Sequence, residues 1–138
     1  MRVAFGSDDE NDTTRAVLRA LVEAGHEVVQ PAESPGWPGL GRSVGRAVVE
    51  GRADYGVVMC WTGTGTAIAA NKVPGVRAAL AWDPWIARGA RLWNDANVLA
   101  MSLKRLAPDV AVEVLEAFLT TTAPDPDEAA NIAELDRP

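Results

Sequence analysis

Cys60-Trp-Thr-Gly-Thr-Gly-Thr-Ala-Ile-Ala-Ala-Asn-Lys72 follows directly on Tyr55-Gly-Val-Val-Met59. The valine-rich run, bounded by turn residues, predicts a buried strand. Three threonines and two glycines then form a small-residue loop, and Ala67-Ile-Ala-Ala70 favours a helix running through Lys72. A strand feeding such a loop and then a helix makes a concave mouth of backbone N–H groups at the positive end of the helix dipole, a place suited to an oxyanion. The chain's only cysteine stands at that mouth. On the pattern alone, Cys60 is either a reactive thiol or a small buried hydrophobe in a tight turn.

Outward from this centre, the same alternation repeats. Arg2–Gly6 reads as a strand, and the acidic cluster Ser7–Asp12 offers caps, with Asp9 or Asp12 as the capping residue, for a helix starting near Thr13. Its apolar face is Ala16, Val17, Ala20, Leu21 and Ala24, and Gly25 sits where a C′ glycine belongs. His26–Gln30 reads as a second strand. Pro31–Gly41, with three prolines and three glycines, reads as an ordered loop carrying Trp37, followed by a helix over Leu40–Gly51. Beyond Lys72 come a strand at Val76–Trp82, a helix from Asp83-Pro84 to Leu92, a strand at Ala96–Ala100 and a helix at Pro108–Leu119. The segment 121–138 is an acidic tail able to form one last helix, with packing on a partner subunit as its expected role.

Strands alternating with helices predict a single α/β domain over residues 1–138, with a mostly parallel sheet covered on both faces. In such folds ligands bind beyond the carboxyl ends of the strands. The loops Ser7–Asp12, Cys60–Thr66 and Trp82–Trp85 are therefore expected to converge.

Composition narrows the function. A formal net charge of -6 argues against a nucleic-acid or anionic-membrane binder. One cysteine and one histidine, His26, leave no set for a disulfide or a Cys/His metal centre, so neither metal nor cofactor is expected. No apolar stretch approaches a membrane span and no signal peptide precedes Val3, which predicts a cytoplasmic protein.

Four pieces together resemble the ribose-5-phosphate isomerase B and galactose-6-phosphate isomerase family: Val3–Asp8, Cys60–Gly65 with Ile68–Lys72, Pro74–Ala78, and Asn94–Ala100. The resemblance implies a three-layer, Rossmann-like (flavodoxin-type) five-stranded domain. It further implies a homodimer, or a dimer of dimers, whose sites are completed by the partner chain. The activity it implies is aldose–ketose isomerisation of the intramolecular oxidoreductase type, through an enediolate and without a cofactor. Such proton transfer needs a base, a held oxyanion and an acid. By the resemblance, Cys60 supplies the base, Thr62 relays a proton, and Asp9 stands where a histidine contacts the sugar. Asp8 binds sugar hydroxyls, Gly63, Thr64, Gly65 and Thr66 bring backbone N–H groups, Asn94 and Asp95 form a polar turn near substrate, and Lys104 is the remaining phosphate anchor, with Arg105 beside it.

The chain also departs from that pattern. Gly-x-Asp-His becomes Gly6-Ser-Asp8-Asp9, the histidine before Asn94-Asp95 is Trp93, an Asp-Tyr-Pro is Gly36-Trp37-Pro38, and the glycine after the cysteine is Trp61. The arginine pair near the C-terminus is replaced by Pro126–Asn131, whose carboxylates repel a phosphate dianion. With Trp37, Trp61 and Trp93 at loop positions facing the site, the pocket is expected to be aromatic-lined and its substrate non-phosphorylated or bulkier and more aromatic. Three further readings fit the same residues. They are a true ribose-5-phosphate isomerase using Lys104 and Arg105, a non-catalytic small-molecule binder, and another proton-transfer enzyme, for cyclisation or dehydration.

Overall fold

The computed structural model describes residues 1–137. Five strands and six helices alternate: β1 (Arg2–Ser7), α1 (Asp12–Glu23), β2 (Glu27–Val29), α2 (Gly36–Val49), β3 (Tyr55–Cys60), α3 (Thr64–Asn71), β4 (Ala78–Leu80), α4 (Pro84–Asn94), β5 (Val98–Ser102), α5 (Pro108–Thr120) and α6 (Ala129–Leu135). The strands form one sheet in the order β2-β1-β3-β5-β4, with every pairing parallel. Among the described residues no helix is long and apolar enough to cross a membrane.

Right-handed crossovers dictate the layers. Connections running towards β4 carry α2 and α3 over one face, and the returning ones carry α1 and α4 over the other, where α5 joins them. Side-chain alternation along β3 follows suit. Val57 and Met59 enter the core with Val17, Leu99, Leu115 and Phe118, whereas Val58 faces Val44, Ala47 and Ala70. Cys60 shares the parity of Val58, so its sulfur points to the α2–α3 side.

The strand order reverses between β1 and β3, and that switch point puts the ends of β1 and β3 beside each other. β5 lies between β3 and β4, which is not the order of the chain. Trp82–Trp85 follows β4, an edge strand two positions from β3, and none of its residues lines the pocket at Cys60.

Local signals account for the helix ends. Asp83 accepts from the Ile86 N–H at 2.9 Å with Pro84 behind it, and Gly25 has φ 78°. The cap of α1 is Asn11, not Asp9 or Asp12; its carboxamide accepts from Thr14 N–H while the Thr14 hydroxyl takes the Asn11 N–H. Trp37 lies in the first turn of α2 and not in a loop. The helix starts at Gly36 because Pro38 falls in the first turn, where its missing N–H has no intrahelical acceptor to lose.

α2 approaches α3 closely. A Cβ on Gly41 would lie 2.7 Å from the Thr66 carbonyl oxygen and 2.9 Å from the Ala69 Cβ. Gly41→Ala should gain helix propensity yet lose about 1–2 kcal/mol net, because the backbone oxygen it meets cannot yield as a side chain could. Urea denaturation measures this, and an unchanged midpoint would refute the close approach.

Candidate active site

At the carboxyl end of β3 the chain turns at Gly63, with φ 78°. A Cβ there would stand 2.6 Å from Leu80 Cδ1 and 2.8 Å from the Met101 carbonyl carbon, so only glycine fits. The turn folds the start of α3 back over Cys60. Gly63 N–H donates to the Cys60 sulfur at 3.2 Å, and the Thr66 hydroxyl lies 3.4 Å from it. Burial pushes the thiol up, but the Thr66 hydroxyl and the amides of Thr66, Gly63 and Thr62 outweigh it and bring Cys60 below the ordinary thiol range. Cys60 is 6% exposed.

That sulfur opens on a pocket of about 470 Å³ lined by Asp8, Trp37, Cys60, Trp61, Thr62, Thr64, Gly65 and Ile68. Trp37 lies against the backbone at Gly65, where a Cβ would come within 2.9 Å of the indole. Thr62 and Thr64 share a hydroxyl–hydroxyl hydrogen bond at 2.6 Å, and Thr64 N–H donates to Thr62 Oγ1 at 3.3 Å. A larger cleft of about 900 Å³ runs between the β1–α1 and β2–α2 loops, with Asp9, Glu10, Arg15 and Glu33 in its wall. Its arginine is engaged by Glu10 and Asp12, at 2.9 and 2.7 Å. The smaller pocket is the one that holds the sulfur.

Asp8 and Asp9 are pulled apart. Burial, aided by the neighbouring Asp9 charge, raises Asp8 above the usual carboxylate range. Asp9 is lowered first by the Glu10 amide, then by the Trp61 indole and by Lys104. Its Oδ1 accepts from Glu10 N–H at 2.8 Å and its Oδ2 from Trp61 Nε1 at 3.2 Å. Lys104 Nζ in turn stands 4.7 Å from the centre of the Trp61 ring. Residues following β1, β3 and β5 thus meet on one indole.

The structure brings together most of the residues singled out from the sequence. Asp8, Trp37, Cys60, Trp61, Thr62, Thr64 and Gly65 line one pocket. Asp9 and Lys104 adjoin it through Trp61. Gly63 turns its amide to the sulfur, and Thr66 is fully buried behind it, away from the pocket wall. Asn94, Asp95 and Trp93 lie apart from it. Asp95 bonds Arg91 at 2.8 Å and Arg77 at 3.0 Å, while Arg91, 3% exposed, also donates to Ala96 O and Tyr55 Oη. Trp93 packs edge-on against Trp85, centroids 5.4 Å apart, across Gly89. The tail packs on its own chain here: Asp125 N–H donates to Leu92 O, and Asp136 pairs with Arg77 at 3.1 Å. Ile68 was missed; its spacing of four from Thr64 on the helix was the available signal.

A model of the Ribose/Galactose Isomerase family matches residues 3–135, and the chain belongs to that family. Among curated relatives, the putative sugar phosphate isomerase YwlF of Bacillus subtilis is 42% identical over 127 residues, 88% of this chain and 85% of its own length. D-erythrulose-4-phosphate isomerase of Pectobacterium atrosepticum is 37% identical over 125 residues, 86% and 82% of the two chains. The solved ribose-5-phosphate isomerase B of Clostridium thermocellum superposes with a TM-score of 0.88 at 32% identity, covering 99% of this chain and 95% of that one.

The carboxylates provide a check on the geometry. In a carbon-detected NMR titration Asp8 should titrate above Asp9, and Trp61→Phe should move Asp9 upward while leaving Asp8 in place. Because Asp9 is lowered in the folded chain, the stability tied to its indole bond is present above the ordinary carboxylate range and fades as pH falls through the lowered value.

Proposed function

We propose that the chain is an aldose–ketose isomerase that moves a proton between adjacent carbons of a hydroxy-carbonyl substrate, with Cys60 as the base. The observation that carries the reading is the sulfur held by Gly63 N–H and Thr66 at the mouth of a pocket. A thiolate there takes the proton from the carbon beside the carbonyl and returns it to the neighbouring carbon. The enediolate oxygen formed between these steps faces the first turn of α3, where the Gly65 amide lies in the pocket wall and the helix dipole favours negative charge. Thr62, with its hydroxyl partner Thr64, carries the hydroxyl proton. The carboxyl role falls to Asp8, which lines the pocket, rather than to Asp9, whose two oxygens are engaged.

The substrate is proposed to be non-phosphorylated, or bulkier and less polar than a pentose phosphate. Apart from Cys60, Asp8 is the only titratable side chain among the described residues that line the pocket, and a carboxylate does not attract phosphate. Lys104 stands over the Trp61 ring and not in the pocket wall. Trp37, Trp61 and Ile68 give the wall apolar surface. The names of the relatives favour a second reading, a sugar phosphate anchored through Lys104 and Arg105. We also propose a homodimer: Trp82, Trp85 and Trp93 are exposed, and desolvating indoles is a strong drive to association.

Coupled or NMR assays with ribose, erythrulose and their phosphates distinguish the readings. The proposal expects turnover that is abolished in Cys60→Ala, with kcat/KM for the free sugars at least equal to that for the phosphates. Efficient ribose 5-phosphate turnover, lost on Lys104→Ala, would sink the substrate claim and leave the isomerase standing. Unchanged turnover in Cys60→Ala would sink the base assignment.

A further inference from the structure

Thr66 has no face towards substrate, yet it holds the one hydroxyl that reaches the reactive sulfur. It is fully buried in the first turn of α3, where Cβ tilts back towards the helix start. Its Oγ1 lies 3.4 Å from Cys60 Sγ and 3.2 Å from the carbonyl oxygen of Gly63. A hydroxyl carries a single hydrogen and cannot satisfy both acceptors fully at once. The protonation state of the sulfur decides between them. A thiol can donate its own S–H to Oγ1, leaving the Thr66 hydrogen for the Gly63 carbonyl. A thiolate only accepts, and then draws the Thr66 hydrogen alongside the Gly63 N–H, which is 3.2 Å away.

We propose that Thr66 is a positioning residue for the proton-transfer step: a buried hydroxyl rotor that follows the protonation state of Cys60 and stabilises its thiolate. Part of this rests on Cys60 being the proton carrier; the rotor itself does not. Thr66 is fully buried and Cys60 nearly so, which gives the bond weight. Of the groups lining the pocket with Cys60, only Asp8 carries charge, and its carboxylate opposes a thiolate rather than favouring it. From α2 the pocket receives Trp37, and Asp9 and Lys104 engage Trp61 instead. Stabilisation of the thiolate therefore depends on hydrogen-bond donors, and among the described residues Thr66 supplies the only side-chain one.

Because Cys60 is the sole cysteine, the pH dependence of iodoacetamide alkylation of the intact protein reads this thiol alone. Thr66→Val keeps the shape and removes the hydrogen bond. It should raise the alkylation midpoint by about 1–2 pH units, the worth of one bond to a charged acceptor, while Thr66→Ser stays with the wild type. Circular dichroism and thermal unfolding establish that each variant is folded; should valine not be accommodated, Thr66→Ala makes the same comparison. An unchanged midpoint in the valine or alanine variant, or a serine variant shifted as far as they are, would overturn the proposal. No substrate enters this measurement. A shifted midpoint with unaltered turnover in Cys60→Ala would leave the rotor in place and remove only the base assignment.

Discussion

The reactive end of β3 depends on one backbone constraint, the left-handed turn at Gly63 pressed against Leu80 and the Met101 carbonyl. With no side chain at that point, the loop closes within three residues of the sulfur. The same turn aims the Gly63 N–H at Cys60, brings Thr66 within reach of it, and starts α3 with its positive end towards the pocket. A wider turn would leave a buried thiol among apolar neighbours, where it would be inert. The site is thus a consequence of close packing between a loop and the β5 strand behind it.

Around that fixed centre, indoles form much of the rim. Trp61 donates its ring N–H to Asp9 and carries Lys104 over its face, so two exposed charges frame one wall. Trp37 lies on the bare backbone at Gly65, which binds α2 to the loop that α3 begins. The held sulfur therefore sits on a strand–turn–helix, while the apolar surface of the pocket comes largely from the indoles beside it.

Much of this was legible from local chemistry. The Asp83–Pro84 start of α4, the Gly25 stop of α1, the β3 run and the glycine loop after Cys60 are all written in short-range residue pairs whose physics does not depend on distant neighbours. Strand order was not legible, because nothing local says that β5 inserts between β3 and β4. Pro-Gly-Trp-Pro-Gly looks hostile to helix, although a proline in a first turn has no hydrogen bond to lose. The sequence marks Thr66 only as an N–H near substrate, since a helix start does not say which way each hydroxyl turns. Asn94 and Asp95 carry part of the resemblance to the family, yet here the aspartate balances Arg91, a cation buried at 3% exposure. Breaking such a pair typically costs about 3–5 kcal/mol, reason enough for a carboxylate at that turn.

The central claim is that the Cys60 sulfur moves the proton. Solvent deuterium uptake, followed by NMR in heavy water with ribose, erythrulose and their phosphates, tests it most directly. The account predicts deuterium at the carbon beside the carbonyl with the wild type and none above background with Cys60→Ser. Equal incorporation by both proteins, or undiminished isomerisation by Cys60→Ser, would contradict it.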